Sequence, residues 1–322
     1  MLIHVAKLNK TIAVDFREFA PAAAHQDMFF DENGEVPAMD TSYRFSHKSS
    51  AVPGSVAGLA HIVEKYGTMT LAQVLEPAIR LARDGIIVTY DLAADLERSQ
   101  RLKNNPASLK KFYKPDGSNY KVGELFKQPD LAWTLSEIAQ HGVDAFYKGS
   151  IAKKIVADME AHNGLITMED LASYKVIERE PVRGTFRGYD IAAIPAPSSG
   201  GTHVIQMLNI LENFPLKEMG PGSADALHIT AEAMKLSYAD RSKYLGDPDF
   251  VHVPTDALVN KEYAKTLAGK ISMDKAMPSA EIAPGNLAIY ESDETTHYSV
   301  VDSEGNMVGN TYTLMFSFGS GV

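Results

Sequence analysis

Glu294-Thr-Thr-His-Tyr-Ser-Val-Val301 is a stretch of β-forming residues, Asp302-Ser-Glu-Gly-Asn306 is a turn signal, and Met307-Val-Gly-Asn-Thr-Tyr-Thr-Leu314 is a second β-forming stretch. Two such stretches around a short glycine-containing turn predict a β-hairpin. With a turn of five residues, Thr295 lies opposite Thr313, and directly opposed Cβ atoms are about 5 Å apart. The sequence thus predicts two threonine hydroxyls on one sheet face, although a slip of one residue would reverse every face.

The same register places His297 opposite Thr311. On the residues alone, the threonine pair has two interpretations. Cross-strand threonine pairs are common in sheets, which favours a structural role. The functional interpretation makes Thr295 a nucleophile and Thr313 the residue that orients it. For His297, a structural hydrogen bond is preferred to the role of a catalytic base.

A second hairpin is predicted at the front of the chain, from Leu2–Val5 and Thr11–Phe16. Because side chains alternate along a strand, Arg17 falls on the face opposite the apolar one, at the end of the second strand. An ordinary ion pair with Asp15 or Glu18 is the interpretation of Arg17 that the residues alone favour, since such pairs are common on surfaces.

Helices are predicted between the two hairpins. One starts near Val56, one starts at a capping box on Thr70, and a long one runs from Ser223 to Tyr244. Pro77 is expected to kink or restart the second helix. Residues 103–123, rich in Lys, Asn, Pro and Gly, are expected to form a loop. Helices between strand-rich ends indicate an α+β fold.

Composition limits the function. The chain has 322 residues, 45% hydrophobic and 22% charged, as expected of a globular protein. A formal net charge of −10 argues against nucleic-acid or anionic-membrane partners. The absence of cysteine excludes disulfides, thiolate metal sites and a cysteine nucleophile. No signal peptide and no membrane-spanning segment is predicted. Both ends are abrupt, so a fragment is expected.

Six motifs, in order along the chain, resemble those of the γ-glutamyltranspeptidases, also called glutathione hydrolases. They are Asp15-Phe-Arg-Glu18, Val52-Pro-Gly-Ser-Val-Ala-Gly58, Pro197-Ser-Ser-Gly-Gly201, Tyr238-Ala-Asp-Arg241, Leu245-Gly-Asp-Pro-Asp249 and Thr295-Thr-His-Tyr-Ser299 with Asp302, Gly305 and Thr313. Each motif alone is weakly specific. Six in sequence over essentially the whole chain identify a member of this family.

The resemblance implies a four-layer αββα sandwich of the N-terminal-nucleophile hydrolase type, here incomplete at both ends. It also implies a precursor that cleaves itself between Glu294 and Thr295. Residues 1–294 then belong to a large subunit, and residues 295–322 begin a small subunit of the same domain. By the same resemblance, Thr295 is the nucleophile, Thr313 orients it, and Arg17 clamps the α-carboxylate of the substrate.

A γ-glutamyl transfer of this kind fits the chemistry of threonine. A hydroxyl needs a base, and the free amine of an N-terminal threonine is a recognised base for it. The resemblance implies an acyl-enzyme formed from glutathione or another γ-glutamyl compound, with water, amino acids or dipeptides as acceptors. No cofactor and no metal are expected. The implied partner is the other subunit of the same precursor, and the implied location is periplasmic or extracellular.

One residue departs from the family pattern. Two positions after Thr313 the family usually has an asparagine that holds the amino group of the substrate, and here the residue is Met315. A thioether accepts hydrogen bonds only weakly. A β-lactam or other amide acylase of the same fold therefore stays open as an alternative. An unprocessed, inactive remnant is a second alternative, suggested by the abrupt ends.

Two other candidate sites are weaker. Pro197-Ser-Ser-Gly-Gly201 lacks the nucleophile-elbow pattern of serine hydrolases and is interpreted as a turn that leads into a helix. His228 and Glu232 lie one helical turn apart, but two ligands are too few for a typical metal site.

Overall fold

The computed structural model describes residues 1–31, 33–35, 45–282, 296–315 and 317–322. These residues divide into two compact units. The first unit takes its residues from the described parts of Met1–Val14, Glu178–Asp293 and His297–Thr311. The second unit takes them from the described parts of Asp15–Ile177, Glu294–Thr296 and Tyr312–Val322. These units are not the expected subunits. The units are defined by compactness, whereas the expected subunits are separated by cleavage of the peptide bond between residues 294 and 295.

Helices and strands both occur, which confirms the predicted α+β class. The strands are β1 (Leu2–Val5), β2 (Lys10–Asp15), β3 (Ile86–Ile87), β4 (Leu125–Phe126), β5 (Ile177–Arg179), β6 (Val182–Phe186), β7 (Tyr189–Ala193), β8 (Thr296–Val301) and β9 (Met307–Tyr312). The helices are α1 (Ser55–Tyr66), α2 (Leu71–Asp84), α3 (Tyr90–Arg98), α4 (Gln100–Asn104), α5 (Pro106–Phe112), α6 (Pro129–His141), α7 (Asp144–Tyr147), α8 (Ser150–Ala161), α9 (Met168–Ser173), α10 (Ser199–Leu211), α11 (Leu216–Met219), α12 (Ala224–Tyr244), α13 (Thr255–Leu258), α14 (Lys261–Ala268) and α15 (Ser279–Ile282).

A five-stranded sheet, in the order β5-β2-β1-β9-β8, is the main sheet of the first unit. Strand β1 lies at its centre, where Leu2 pairs with Ala13 on one side and with Gly309 on the other. The front hairpin and the late hairpin are thus parts of one sheet. Ala13 and Val14 are both fully buried although adjacent strand residues point to opposite faces. Both faces of β2 are therefore covered at Ala13 and Val14, including the face that carries Arg17 further along the chain.

Helix α10 is central to the rest of the first unit. It packs against β6, β7, α12 and α14. Its N-terminus is capped by Ser198, whose Oγ accepts a hydrogen bond from Gly200 N at 3.2 Å. A Cβ at Gly201 would stand 2.0 Å from the carbonyl oxygen of Ile194, so only glycine allows this close approach. The Pro197–Gly201 motif is therefore a packing turn, as predicted.

Helices dominate the second unit. Thr70 and Gln73 form both bonds of the predicted capping box at the start of α2. This helix continues through Pro77 and packs against α6, so the expected restart at Pro77 is wrong. The expected loop at residues 103–123 is also wrong in part, because α5 begins at Pro106 behind an Asn105 cap. A proline in the first turn loses no helical hydrogen bond, because that N–H has no partner within the helix.

Within the described residues, no helix has the length and apolar character that a bilayer crossing requires.

Candidate active site

The late hairpin has the register predicted from the sequence. Asp302 N donates to Asn306 O at 3.1 Å, which closes a five-residue turn. His297 Nδ1 lies 2.8 Å from Thr311 Oγ1, so these two residues face each other across β8 and β9. The structural hydrogen bond predicted for His297 is therefore present. Glu294 and Thr295 lie outside the described residues, so the pairing of Thr295 with Thr313 stays a prediction.

Asp302 organises the turn of this hairpin. Its Oδ1 accepts hydrogen bonds from Glu304 N and Asn306 N, both at 2.9 Å, and its Oδ2 accepts one from Asn306 Nδ2 at 2.8 Å. Asn306 Oδ1 in turn accepts a bond from Ala6 N at 2.9 Å, at the end of β1. The side-chain bond from Asn306, followed by these backbone bonds, lowers the pKa of Asp302 below its ordinary value. The ionised carboxylate thus holds the turn and ties it to the central strand.

Replacing Asp302 with alanine should lower the melting temperature at pH 7. A lowered pKa in the folded state means that ionised Asp302 favours folding. That contribution is complete above the ordinary carboxyl pKa of about 3.9 and is lost as the pH falls through the lowered folded value. We expect the difference in melting temperature between wild type and Asp302→Ala to shrink towards zero below this range. Thermal melting of the full-length protein between about pH 7 and pH 2 measures it.

Glu304→Ala is the matched control for this experiment, because Glu304 is an exposed residue of the same turn that takes part through its backbone N–H. It should melt like the wild type throughout. A difference for Asp302→Ala that is the same at every pH would contradict a role for the charge.

Thr313 lies just beyond the end of β9. Its Oγ1 accepts a hydrogen bond from Met315 N at 3.0 Å. A threonine hydroxyl can accept one hydrogen bond and donate another, which is the chemistry that an orienting residue uses. Met315 has φ +72°, a left-handed conformation that costs a residue other than glycine, asparagine or aspartate roughly 1–2 kcal/mol. The residue that departs from the family pattern therefore also occupies a strained backbone position.

Arg17 follows β2 and has an exposed side chain. Its Nε lies 3.7 Å from Glu18 Oε1, and both side chains are more than half exposed. An ion pair this long and this exposed contributes little, because solvent screens it. Arg17 N donates to Asp15 Oδ1 at 3.1 Å, so Asp15 holds the backbone at this position. The ion pair with Glu18 exists, but it binds the guanidinium too weakly to account for its placement.

The backbone around Arg17 is held firmly. Tyr174 donates its hydroxyl to Arg17 O at 2.8 Å. Burial raises the pKa of Tyr174 well above its ordinary value, so the group remains a neutral donor. The Tyr174 ring stacks on Tyr147 at 5.6 Å between centroids, and Tyr147 donates to Pro53 O at 2.8 Å. Two residues beyond Arg17, Phe19 pairs with Val52 in a β-bridge. These contacts fix the segment that carries the guanidinium.

The glycines of the Val52–Gly58 motif explain why that motif accompanies Arg17. A Cβ at Gly54 would stand 2.2 Å from Phe16 O and 1.9 Å from the hydroxyl oxygen of Tyr174. A Cβ at Gly58 would stand 2.1 Å from the ring of Phe16. A side chain at either position would therefore displace the residue next to Arg17. Sequence reasoning missed Tyr174 and Tyr147 as supports, because single tyrosines more than 100 residues away carry no local signal.

The other candidates have structural partners. His228 Nε2 lies 2.7 Å from Ser272 O. Glu232 accepts hydrogen bonds from Lys235 Nζ at 2.5 Å and from Met277 N at 3.1 Å. These contacts bind each residue to its own neighbours.

Comparison with known proteins identifies the family. The family model described as Gamma-glutamyltranspeptidase matches residues 1–322. The chain is 53% identical over 324 residues to the glutathione hydrolase proenzyme of Escherichia coli strain K12, covering all of this chain and 55% of that protein. It is 38% identical over 318 residues to the acylase ACY 1 proenzyme of Pseudomonas sp. strain SE83, covering 97% of this chain and 56% of that protein.

A solved structure agrees. The γ-glutamyltranspeptidase of Helicobacter pylori superposes with a TM-score of 0.85 at 43% identity, over 91% of this chain and 84% of that one. This likeness confirms the predicted α+β fold of the N-terminal-nucleophile hydrolase type. The chain spans about half the length of the curated relatives it matches. With a family match over its whole length and a relative at 53% identity, the chain belongs to the γ-glutamyltranspeptidase family.

Proposed function

We propose that the full-length protein transfers γ-glutamyl groups from glutathione and other γ-glutamyl compounds to water, amino acids or peptides. The family match over residues 1–322 carries this proposal. It is supported by 53% identity to a protein named glutathione hydrolase proenzyme. The register of the late hairpin, in which His297 faces Thr311, supports the predicted pairing of Thr295 with Thr313, each two positions further from the turn.

In this proposal the protein is made as a precursor and cleaves itself between Glu294 and Thr295. Residues 1–294 belong to the large subunit and residues 295–322 to the start of the small one. The hydroxyl of Thr295 attacks the carbonyl carbon of Glu294, the nitrogen of Thr295 leaves that carbon, and water hydrolyses the resulting ester. The nitrogen of Thr295, an amide before this step, becomes an amine. An amide nitrogen is not a base, so the uncut precursor is inactive.

The mature enzyme then uses the same hydroxyl on the donor. The free amine of Thr295 takes the hydroxyl proton, and the oxygen attacks the γ-carbonyl of the donor. The amine of the leaving group departs with a proton, and the γ-glutamyl group remains as an ester on Thr295. Water or the amine of an acceptor attacks this ester and regenerates the hydroxyl. These steps require no cofactor and no metal.

Two described residues have roles in this proposal. Thr313 donates a hydrogen bond to the hydroxyl of Thr295 and holds it in the attacking rotamer. Arg17 binds the α-carboxylate of the donor, because a planar guanidinium offers two parallel donors to a carboxylate. The exposed guanidinium on a backbone held by Tyr174 suits this role, since its ion pair with Glu18 is long and exposed to solvent.

A β-lactam or other amide acylase is the second candidate. Met315 in place of the family asparagine favours it, and so does the 38% identity to a protein named acylase ACY 1 proenzyme. Donor profiling of the full-length protein separates the two. We expect a γ-glutamyl anilide to be cleaved with the higher kcat/KM. Faster cleavage of an adipyl or glutaryl amide would overturn the leading proposal in favour of the acylase.

Met315→Asn should raise kcat/KM for a γ-glutamyl donor by about tenfold. The amide oxygen accepts a bond from the donor's α-ammonium group, and one hydrogen bond to a charged group contributes about 1.5–3 kcal/mol. Asparagine also tolerates the left-handed backbone at this position better than methionine does. Initial rates with γ-glutamyl anilide measure the effect. Met315→Leu, which adds no acceptor, is the matched control and should leave the rate unchanged; an equal gain for both variants would refute the role of the amide.

The location and the processing are also proposals. A periplasmic or extracellular location is proposed by analogy with the family. The alternative is that the protein is an inactive remnant that does not cleave itself. Gel electrophoresis of the full-length protein, with N-terminal sequencing of the smaller fragment, decides it: Thr295 should be the first residue of that fragment. A protein that stays in one piece would favour the remnant.

A further inference from the structure

A second cluster of chemically active side chains lies in the second unit, apart from the residues assigned above. It consists of His47, Asp158 and His162, whose potential ligand atoms all lie within 4.8 Å of one another. Asp158 belongs to α8, and His162 follows the end of this helix. Residues four apart lie on one face of a helix, so both side chains point the same way. His47 comes from the short 3₁₀ turn His47–Ser49, more than 100 residues earlier.

The carboxylate of Asp158 contacts a nitrogen of each imidazole. Its Oδ2 is 2.9 Å from His47 Nε2, and its Oδ1 is 3.3 Å from His162 Nδ1. In a tetrahedral zinc site, bonds of about 2.0–2.2 Å place neighbouring ligand atoms about 3.3 Å apart. Both distances are close to that spacing. An ion could therefore be accommodated by side-chain adjustment alone, without movement of the backbone.

The donor set is chemically selective. Two imidazole nitrogens and one carboxylate oxygen suit zinc, cobalt or nickel, whereas calcium and magnesium prefer oxygen ligands only. Three protein ligands leave a fourth position for water, as in open zinc sites.

The two rings show what has to move. The centroids of His47 and His162 are 4.4 Å apart with an interplanar angle of 11°, so the rings are stacked. Ring lone pairs lie in the ring plane, and one ion cannot lie in two parallel planes at once. His47 is held in place. Its side chain is only 9% exposed, and Gly164 packs so closely against it that a Cβ on Gly164 would lie 3.1 Å from the Cβ of His47. The side chain of His162 is 55% exposed, and its Nδ1 lies 2.9 Å from the carbonyl oxygen of Asp158. It is the ring that can turn, and turning it breaks that one hydrogen bond.

We propose that His47, Asp158 and His162 form a binding site for a divalent transition metal ion of the zinc type. The ion is held by His47 Nε2, one oxygen of Asp158 and a ring nitrogen of His162 after this ring has rotated out of the stack. Water fills the fourth position. The ion would cross-link the turn at His47 to the end of α8, so it should stabilise the second unit. This site is separate from the proposed γ-glutamyl chemistry and does not depend on it.

Zinc titration of the full-length, tag-free protein by isothermal calorimetry tests the site. We expect His162→Gln to weaken Zn²⁺ binding by about tenfold or more, because even an outer-shell partner of a metal ligand is worth 10–100-fold in affinity. Asp158→Asn should weaken it as well. His141→Gln is the matched control: His141 is an exposed histidine at the end of a helix of the same unit, outside the cluster, and its loss should change nothing.

Spectroscopy and stability provide independent readouts. Co²⁺ should give the visible absorption of a four-coordinate ion with the wild type and His141→Gln, but not with His162→Gln. Zn²⁺ should raise the melting temperature of the first two proteins and not of the third. His162 is exposed, so its replacement should leave the fold intact, and circular dichroism checks this. A wild type that binds no Zn²⁺, or a His162→Gln variant that binds it as tightly as the wild type, would overturn the proposal.

Discussion

Thr295→Ala is expected to leave the full-length protein uncut and to reduce γ-glutamyl transfer by about 10⁴-fold or more. One residue supplies the attacking oxygen for both reactions. Removing it abolishes the ester that precedes chain cleavage and the ester that carries the γ-glutamyl group. Loss of a nucleophile costs this much or more in enzymes that form covalent intermediates. Gel electrophoresis follows the cleavage, and initial rates with a γ-glutamyl anilide follow the transfer.

Two matched variants make this result specific. Thr295→Ser keeps a hydroxyl and should still cut and turn over, at a reduced rate. Ser303→Ala changes an exposed hydroxyl in the turn of the same hairpin and should behave like the wild type. A Thr295→Ala protein that splits at the same bond would refute the proposed nucleophile. Full turnover by a protein whose residues 294 and 295 remain joined would refute the amine as the base.

Arg17→Met should raise KM for a γ-glutamyl donor on the order of 100-fold, with a smaller change in kcat. The variant removes two charge-assisted hydrogen bonds to the donor's carboxylate, each worth about 1.5–3 kcal/mol, and about 1.4 kcal/mol corresponds to tenfold in affinity. Arg17→Lys keeps the charge and loses the paired geometry, so its KM should fall between those of wild type and Arg17→Met. Because the carboxylate does not react, its binding affects the ground state and the transition state alike.

Glu18→Gln separates this role from an ordinary ion pair. It removes the partner at 3.7 Å while it leaves the guanidinium and its backbone in place. If Arg17 binds substrate, Glu18→Gln should change KM little. If Arg17 served only its pair with Glu18, the two variants would have equal and small effects on KM, and the proposed clamp would be wrong.

The sequence could predict features that depend on neighbouring residues. The register of the late hairpin follows from the length of its turn, and Asp302 supports that turn through bonds to residues no more than four positions away. The capping box at Thr70 and the cap of α12 at Ser223 are equally local. Local chemistry predicted each of them because both partners lie within one turn of chain.

Two departures from local expectation arise from tertiary packing. A proline inside α2 usually breaks a helix, but α2 packs against α6, and tertiary contacts can compensate for one lost hydrogen bond. Alternation along β2 separates an apolar face from the face that carries Arg17. Ala13, on that second face, is fully buried, so packing covers both faces of the strand there. In these two places packing from distant segments overrode a local preference, whereas the helix that begins at Pro106 was missed although its Asn105 cap is local.

By itself, the sequence determined the α+β class, the family, the late hairpin and the identity of the residues expected to do chemistry. Only the tertiary structure decided which contacts hold these residues in place. It placed Tyr174 against the carbonyl of Arg17, fitted Gly54 and Gly58 against Phe16, and brought His47 to Asp158 across 111 positions. The physical reason is the range of the interactions. Turns and caps join atoms a few residues apart, whereas close packing joins segments whose separation along the chain carries no pattern.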